Sequence, residues 1–202
     1  MASFSILTVC TGNICRSPLT QQLLSAGLSD FPDVHVASAG TGALVGHQMP
    51  EQAQVLARNL GIDAPDLHEA RALTLEDLDK ANLIIALSRE HRRAIVEMLP
   101  RRARRTFTLR ELARLLTDVG EEEFIGTVKL APDDIVGRLD ELVEIAASRR
   151  GMIPPLELPD GDDVIDPYRR NDAVYLETVS QILPAVRVVL AQINRSVVAG
   201  CG

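Results

Sequence analysis

The chain is poor in aromatic residues, cysteine and histidine. Tryptophan is absent and aromatic residues make up 3% of the 202 residues, so a core has to be built from Leu, Val, Ile and Ala. Three cysteines cannot form a complete disulfide framework, and their spacing is not that of a zinc site. The four histidines are scattered, with no two in ligand register: His35, His47, His68 and His91. The sequence therefore predicts no metal and no cofactor.

Basic residues are fewer than acidic residues, with 21 Lys and Arg against 28 Asp and Glu. The formal net charge of −7 argues against nucleic acid as a partner, because bulk affinity for it depends on neutralisation of phosphates by Lys and Arg. The arginines are concentrated in residues 89–114, whereas residues 118–166 are rich in Asp and Glu. We interpret these two segments as solvated faces that partly compensate each other. The alternative is a surface that docks an acidic phosphoprotein or a regulatory partner.

Long apolar runs are missing as well. The run from Phe4 to Val9 is too short for the core of a secretory signal and has no basic flank before it. The run from Ile182 to Ala191 is interrupted by Pro184 and Arg187, so we do not expect it to cross a membrane. The chain is therefore expected to be soluble and cytoplasmic, where thiols stay reduced.

Strand and helix signals alternate along most of the chain. The predicted strands cover 3–9, 34–38, 82–87 and 105–109, and predicted helices start at Ser17–Pro18, Glu51, Thr74 and Ser88, with a further helix ending at Thr117. This alternation predicts a parallel sheet with helices on both faces. Ligands of such sheets bind at the carboxyl ends of the strands, and Cys10 directly follows the first strand.

The segment at about 118–163 does not follow this alternation. It is acidic and rich in turn residues, with one amphipathic helix predicted over 135–147. We interpret it as an insertion in a single domain of 202 residues rather than as a second domain. A last helix is predicted over about 172–194, with a kink at Pro184.

The most informative motif is Cys10-Thr11-Gly12-Asn13-Ile14-Cys15-Arg16-Ser17-Pro18. It joins one thiol to one guanidinium and ends where Ser17 and Pro18 are expected to cap and start a helix. Backbone N–H groups of such a loop, together with the helix N-terminus, bind a phosphate-sized anion. The residues expected to surround that phosphate are Thr11, Gly12, Asn13, Ile14, Cys15 and Ser17.

Within this loop, Cys10 and Arg16 are the candidate catalytic pair. The planar fork of Arg16 matches two phosphoryl oxygens, and the same positive environment favours the thiolate of Cys10 as a nucleophile. Ser17 is placed to donate its hydroxyl to that sulfur. Gly12 and Asn13 are the residues that tolerate the unusual backbone angles of a tight anion-binding loop.

Asp166-Pro167-Tyr168 is the best candidate for the proton donor that such a reaction needs. Pro167 biases Asp166 towards an extended conformation and stiffens the segment. Asp166 would protonate the leaving group in the first step and activate water in the second. Tyr168 would form one wall of a slot for a flat substrate.

Two further cysteines leave alternatives open. Cys15 is either a small buried side chain or a redox partner that captures an oxidised Cys10 as a disulfide and spares it irreversible oxidation. Cys201 is expected to be a free thiol near the C-terminus.

With these residues in view, the chain resembles the low-molecular-weight protein tyrosine phosphatase family. The resemblance covers residues 4 to about 117 and 164 to about 195, and its motifs are Cys10–Pro18, Ser38–Gly40, His68–Arg71 and Asp166–Tyr168. It implies a three-layer α/β/α fold with a four-stranded parallel sheet and metal-free hydrolysis of phosphomonoesters through a cysteinyl-phosphate. It also implies that Asn13, Ser17, Ser38 and His68 form a hydrogen-bond network that holds the loop.

This sequence departs from the family pattern at three places. Leu44 stands where relatives often carry an aromatic residue at the second wall of the slot. Arg169 and Arg170 follow Tyr168, which favours substrates with acidic flanks. The insertion at 118–163 is not usual for the family, and it is expected to cover the site, bind a partner or pack on the sheet edge.

The leading hypothesis is hydrolysis of phosphotyrosine in proteins or of a related aryl phosphate. Relatives that hydrolyse phosphoarginine tend to carry Thr where this chain has Ile14, so the apolar side chain favours tyrosine. Arsenate reduction on the same scaffold is a second alternative, although residues 78–92 contain none of the relay cysteines. A phosphoprotein-binding module without turnover is the non-enzymatic alternative.

Overall fold

A four-stranded parallel sheet forms the centre of the molecule. The computed structural model describes residues 3–124, 130, 134–154, 156–158 and 160–198. The strands are β1 (Phe4–Cys10), β2 (Val34–Gly40), β3 (Leu83–Ala86) and β4 (Thr106–Thr108), in the spatial order β2-β1-β3-β4. All three pairings are parallel, which confirms the predicted sheet.

Helices cover both faces of this sheet. They are α1 (Arg16–Gly27), α2 (Glu51–Asn59), α3 (Leu75–Lys80), α4 (Arg89–Met98), α5 (Leu109–Leu116), α6 (Ile135–Arg149) and α7 (Asp172–Val198). Along β1, Phe4 and Ile6 join the apolar cluster that contains α1, α5, α6 and α7. Leu7 and Val9 join a second cluster, formed with α3 and α4. Since successive strand residues face opposite sides, the two clusters give the expected three-layer arrangement.

The carboxyl ends of three strands meet at Cys10. In the sheet register Cys10 is opposite Gly40 of β2, and Val9 is opposite Ala86 of β3. A side chain at position 40 would bring its Cβ within 2.4 Å of the Thr11 carbonyl oxygen, so only glycine allows the loop after β1 to pass this close to β2. The first strand therefore delivers Cys10 to the edge where parallel sheets bind their ligands.

The start of α1 differs from the prediction. The helix begins at Arg16 with Cys15 at its N-cap position, and no side chain caps it. The expected cap at Ser17 is wrong because this residue lies inside the first turn and its hydroxyl contacts the Cys10 sulfur. The helix starts predicted at Thr74 and Ser88 are confirmed, since Thr74 accepts a hydrogen bond from the Asp77 N–H at the start of α3, and Ser88 accepts one from the His91 N–H in α4.

The segment at 118–163 packs beside the sheet through α6, which contacts α5 and α7. Its acidic side chains meet the arginine-rich segment in direct ion pairs, with N–O distances of 2.6 Å (Arg105–Asp140), 3.0 Å (Arg104–Glu144) and 2.8 Å (Arg114–Asp162). These pairs confirm that the two charged segments compensate each other. The exposed pair Arg104–Glu144 contributes little to stability on its own, since such pairs are worth about 0–1 kcal/mol.

The last helix, α7, is an apolar core element. Among the described residues, Asp172–Val197 alone is long and apolar enough to cross a membrane by length and composition, a test that core helices of soluble proteins also pass. It packs against α1, α2, α5 and α6, and it buries Ile182, Val186, Val189 and Ile193. Pro184 lies inside this helix, where the expected kink stays a prediction. Cys201 lies outside the described residues.

Candidate active site

A pocket of about 240 Å³ opens at the carboxyl end of β1. It is lined by Cys10, Thr11, Gly12, Ile14, Cys15, Arg16, Gly42, Leu44, Asp166 and Tyr168. Nearly all of these residues were predicted from the sequence, and Gly42 is the one that was not. Asn13 and Ser17 are fully buried and do not line the pocket, so their expected place around the phosphate stays a prediction. Within the described part of the chain, no residue from 118–163 lines this pocket.

The Cys10 sulfur lies at the base of the loop and receives two polar contacts. The backbone N–H of Asn13 donates to it at 3.3 Å, and the Ser17 hydroxyl oxygen lies 3.0 Å from it. Burial of Cys10 is nearly complete, with 2% of its surface exposed. A sulfur that is held by donors in a buried loop is better suited to carry negative charge than one in an apolar core.

Asn13 determines which way the Ser17 hydroxyl points. Its side-chain oxygen accepts the backbone N–H of Arg71 at 2.8 Å, which fixes the orientation of the amide. Its NH₂ group then donates to Ser17 Oγ at 3.0 Å and to Ser38 Oγ at 2.9 Å. Because Ser17 Oγ already accepts this bond, its own proton is free to be donated to the sulfur of Cys10.

The backbone of Asn13 has the conformation that the loop needs, with a φ of 54°. The sequence suggested both Gly12 and Asn13 for such angles, and Asn13 is the one with positive φ. His68 Nε2 lies 2.6 Å from the Asn13 carbonyl oxygen, so this nitrogen carries the proton and donates. Burial lowers the pKa of His68, and the ring therefore acts as a neutral donor that holds the loop.

Arg16 joins the loop to the segment that follows the insertion. Its side chain is buried, and its two terminal nitrogens donate to Asp166 Oδ2 at 2.7 Å and to the Val164 carbonyl at 3.1 Å. The Asp166 side chain is 50% exposed, and its other oxygen accepts the backbone N–H of Tyr168 at 3.1 Å. The fold thus brings Asp166 and Tyr168 to the same pocket as Cys10.

The segment that follows β2 forms another wall of the pocket. The N–H groups of Thr41, Gly42 and Leu44 donate to the carbonyls of Cys10, Thr11 and Gly12 at 2.9, 3.0 and 3.0 Å. These bonds extend the pairing of β1 and β2 beyond the strands themselves. They engage three successive carbonyls of the loop on one side and place the Leu44 side chain at the pocket.

Cys15 lines the pocket and has Tyr175 as a neighbour. Its sulfur is 3.9 Å from the Tyr175 hydroxyl of α7, and burial raises the pKa of the Cys15 thiol to about 12. Burial also raises the pKa of Tyr175, so both groups are neutral at ordinary pH. Cys10 and Cys15 are both free thiols, and the protective disulfide between them stays a prediction.

His91 is a residue of this site that the sequence reasoning missed. Its Nε2 lies 2.8 Å from Thr11 Oγ1, and its Nδ1 lies 2.9 Å from Ser88 Oγ. Burial and the neighbouring Arg16 charge lower the pKa of His91 to about 4, so the ring is neutral. A signal was available, because His91 lies in the first turn of α4, at the end of a strand that is paired with β1.

Comparison with known proteins identifies the family. The family model for low molecular weight phosphotyrosine protein phosphatase matches residues 5–120. The chain belongs to this family and is therefore a protein phosphatase that depends on cysteine. The match ends where the acidic segment begins, although the structure brings Asp166 from beyond it to the Cys10 loop.

The chain is similar to relatives that are named for two different activities. It is 33% identical over 144 residues to a protein-arginine-phosphatase of Geobacillus stearothermophilus, covering 70% of this chain and 95% of that protein. It is 36% identical over 105 residues to the low molecular weight protein-tyrosine-phosphatase Ptp of Acinetobacter johnsonii, covering 52% and 71%. The solved low molecular weight protein tyrosine phosphatase from T. tengcongensis is 26% identical, with a TM-score of 0.65 over 94% of this chain and 99% of that one.

Proposed function

We propose that the protein hydrolyses phosphotyrosine in proteins through a cysteinyl-phosphate, with Cys10 as nucleophile, Arg16 as phosphate ligand and Asp166 as general acid. The observation that carries this proposal is the convergence of the three side chains on one pocket. The Cys10 sulfur lies 3.0 Å from the Ser17 hydroxyl at its base, and Asp166 lies 2.7 Å from Arg16 at its rim.

In the first step, the Cys10 thiolate attacks phosphorus and the bond from phosphorus to the aryl oxygen breaks. The leaving oxygen takes the proton of Asp166, which becomes a carboxylate. The bond that Arg16 donates to Asp166 is exchanged for bonds to the phosphoryl oxygens, since a guanidinium binds such oxygens in the same forked geometry. The products of this step are the free phenol and phosphate bonded to sulfur.

In the second step, the Asp166 carboxylate takes a proton from water, and the water oxygen attacks phosphorus. The bond from phosphorus to sulfur breaks, and the electron pair returns to Cys10 as a thiolate. The Ser17 hydroxyl stabilises that developing charge, because the Asn13 amide directs its proton towards the sulfur. Inorganic phosphate leaves and the starting enzyme is restored.

The shape of the pocket supports an aryl substrate. Leu44 and Tyr168 provide two apolar walls, and Ile14 lies at the pocket with 5% of its surface exposed. An isoleucine here has no group that bonds to the extra N–H donors of a phosphoguanidinium, which would lose their water partners on binding. A phenyl ring has no such donors and gains apolar contact.

Phosphoarginine is the second candidate substrate, and the similarity to a protein-arginine-phosphatase favours it. The decisive experiment compares kcat/KM for a phosphotyrosine peptide and for a phosphoarginine peptide of matched sequence. We expect the wild-type protein to favour phosphotyrosine, and Ile14→Thr to move the ratio towards phosphoarginine at least tenfold. Ile14→Val, which has the shape of threonine without its hydroxyl, should leave the ratio near its wild-type value. A wild-type preference for phosphoarginine would contradict the proposal.

Two further measurements separate the remaining alternatives. Turnover of arsenate that depends on an added thiol would indicate a reductase, and binding of the phosphopeptide without release of phosphate would indicate a binding module.

We further propose that residues 1–202 form one phosphatase domain with an insertion at about 118–163. The cytoplasm is the compartment proposed for it, because a nucleophilic thiol has to stay reduced.

A further inference from the structure

Two arginines next to the pocket are unlike most others in the chain. Most arginines in the described residues pair with carboxylates, including eight of the nine in the arginine-rich segment at 89–114. Across the same described residues, neither Arg169 nor Arg170 has an acidic partner. Both are exposed and directly follow Tyr168, which lines the pocket.

The backbone holds this pair in a defined position. Arg169 has a φ of 58°, in the left-handed region that residues other than glycine seldom occupy, and its guanidinium lies 5.0 Å from the centre of the Tyr168 ring. The backbone N–H of Arg170 donates to the Pro167 carbonyl at 2.9 Å, which closes the turn. The Arg169 charge therefore lies against the wall of the substrate slot, and Arg170 follows it in the same turn.

The carboxylates nearest in sequence do not neutralise them. Asp166 pairs with Arg16 at the rim of the pocket, and Asp172 lines a separate depression together with Glu51. A protein with a formal net charge of −7 thus presents positive charge beside its active site. Such local charge favours partners of opposite sign and speeds their encounter.

We propose that Arg169 and Arg170 form a subsite for carboxylates next to the phosphorylated residue, so that the protein prefers phosphotyrosine within acidic sequences. This inference rests on the proposed function, since it assumes that the phosphoryl group is bound at Cys10. The ligand of the subsite is an aspartate or glutamate side chain of the substrate protein, held by exposed ion pairs.

The test compares three phosphotyrosine peptides that differ only at the residues flanking the phosphotyrosine, which are Glu, Gln or Lys. The measured quantity is the ratio of kcat/KM for the Glu peptide to that for the Gln peptide. We expect the wild-type ratio to be roughly three- to tenfold at low salt, the size that exposed ion pairs provide, and to shrink as salt is added. The Lys peptide should be the poorest substrate.

Two variants connect this preference to the proposed residues. In the double variant Arg169→Asn and Arg170→Gln, both charges are removed while residue 169 still tolerates a positive φ. Its ratio should fall to about one. The matched control is Arg187→Ala, which removes an exposed arginine from α7 and should keep the wild-type ratio. The ratio of kcat/KM for the Glu and Gln peptides is compared within each variant. A loss of activity that affects all peptides equally therefore does not change it.

The outcomes separate the two proposals. If the wild-type protein hydrolyses the Glu and Gln peptides equally well, the subsite is wrong and the proposed function stands. An unchanged preference in the double variant would also overturn the subsite. If none of the phosphotyrosine peptides is hydrolysed while p-nitrophenyl phosphate is, the proposed function fails and the subsite fails with it.

Discussion

Asn13 shows how far single residues of the site could be predicted. Its tolerance of left-handed geometry follows from its short polar side chain, and the structure gives it a φ of 54°. The directions of its hydrogen bonds did not follow from spacing, because they depend on the Arg71 N–H that fixes its amide. That N–H comes from a loop 58 residues further along the chain, so no local pattern contains it.

The role of Asp166 can be tested through the leaving group. Replacing Asp166 by Asn keeps an oxygen that accepts a bond from Arg16 but removes the transferable proton. We expect kcat for phenyl phosphate, whose leaving group needs a proton, to fall roughly 10²–10⁴-fold. Activity on p-nitrophenyl phosphate, whose phenolate leaves readily, should fall much less.

A matched control for this variant is Asp162→Asn, which lies four residues earlier and pairs with Arg114 outside the pocket. It should change neither activity by more than about twofold, because Asp162 lies outside the pocket and an asparagine keeps an oxygen that can accept a bond from Arg114. Equal losses on both substrates in Asp166→Asn would contradict a role for Asp166 as proton donor.

At the scale of elements, the alternation of strands and helices placed the phosphate loop correctly. The strands predicted over 3–9 and 34–38 are observed as Phe4–Cys10 and Val34–Gly40. The helix cap predicted at Ser17 was wrong, because a serine hydroxyl caps a helix only when no tertiary contact uses it. Here Ser17 lies between Asn13 and the sulfur of Cys10, and that tertiary contact decides its position.

The pairing of β1 with β3 brings the start of α4 to the phosphate loop. Because His91 and Thr11 are hydrogen-bonded there, we expect substitutions at the two positions to have non-additive effects on phosphate binding. Removing either partner, in His91→Ala or Thr11→Val, should weaken binding of inorganic phosphate by about fivefold, the value of one neutral hydrogen bond. The double variant should be no weaker than the worse single variant, since the same bond is lost only once.

This cycle is measured by competitive inhibition of aryl phosphate hydrolysis. His91→Gln, whose amide can reach Thr11 in place of Nε2, should recover part of the binding. If the two single losses add up in the double variant, His91 does not act through Thr11.

For the whole molecule, the sequence predicted that the charges of residues 89–114 and 118–166 compensate each other. It did not predict which side chains form the ion pairs. The ion pairs Arg105–Asp140 and Arg104–Glu144 join segments that lie 35 and 40 residues apart, and they form because α6 packs against residues 100–105. Such packing depends on how whole helices fit together, which local patterns do not contain.

The buried histidine also makes stability depend on pH. The pKa of His91 is lowered from 6.5 to about 4 in the folded protein, so below pH 6.5 the unfolded chain binds a proton that the native state does not. The free energy of unfolding should therefore rise with pH between about 4 and 6.5 and level off above, with His91 contributing at most about 3 kcal/mol.

Urea unfolding at a series of pH values measures this dependence. His91→Gln should reduce the rise, while the lowered pKa of His68 leaves a residual slope of the same sign. An identical slope in wild type and His91→Gln would show that His91 does not carry the effect.

The most direct test of the account is to trap the phosphoenzyme. The protein is denatured during turnover of an aryl phosphate, and the phosphate is located on its peptides by mass spectrometry. The account predicts phosphate on the sulfur of Cys10, and none in Cys10→Ala. Release of inorganic phosphate with no phosphorylated Cys10, or phosphate on another side chain, would contradict it.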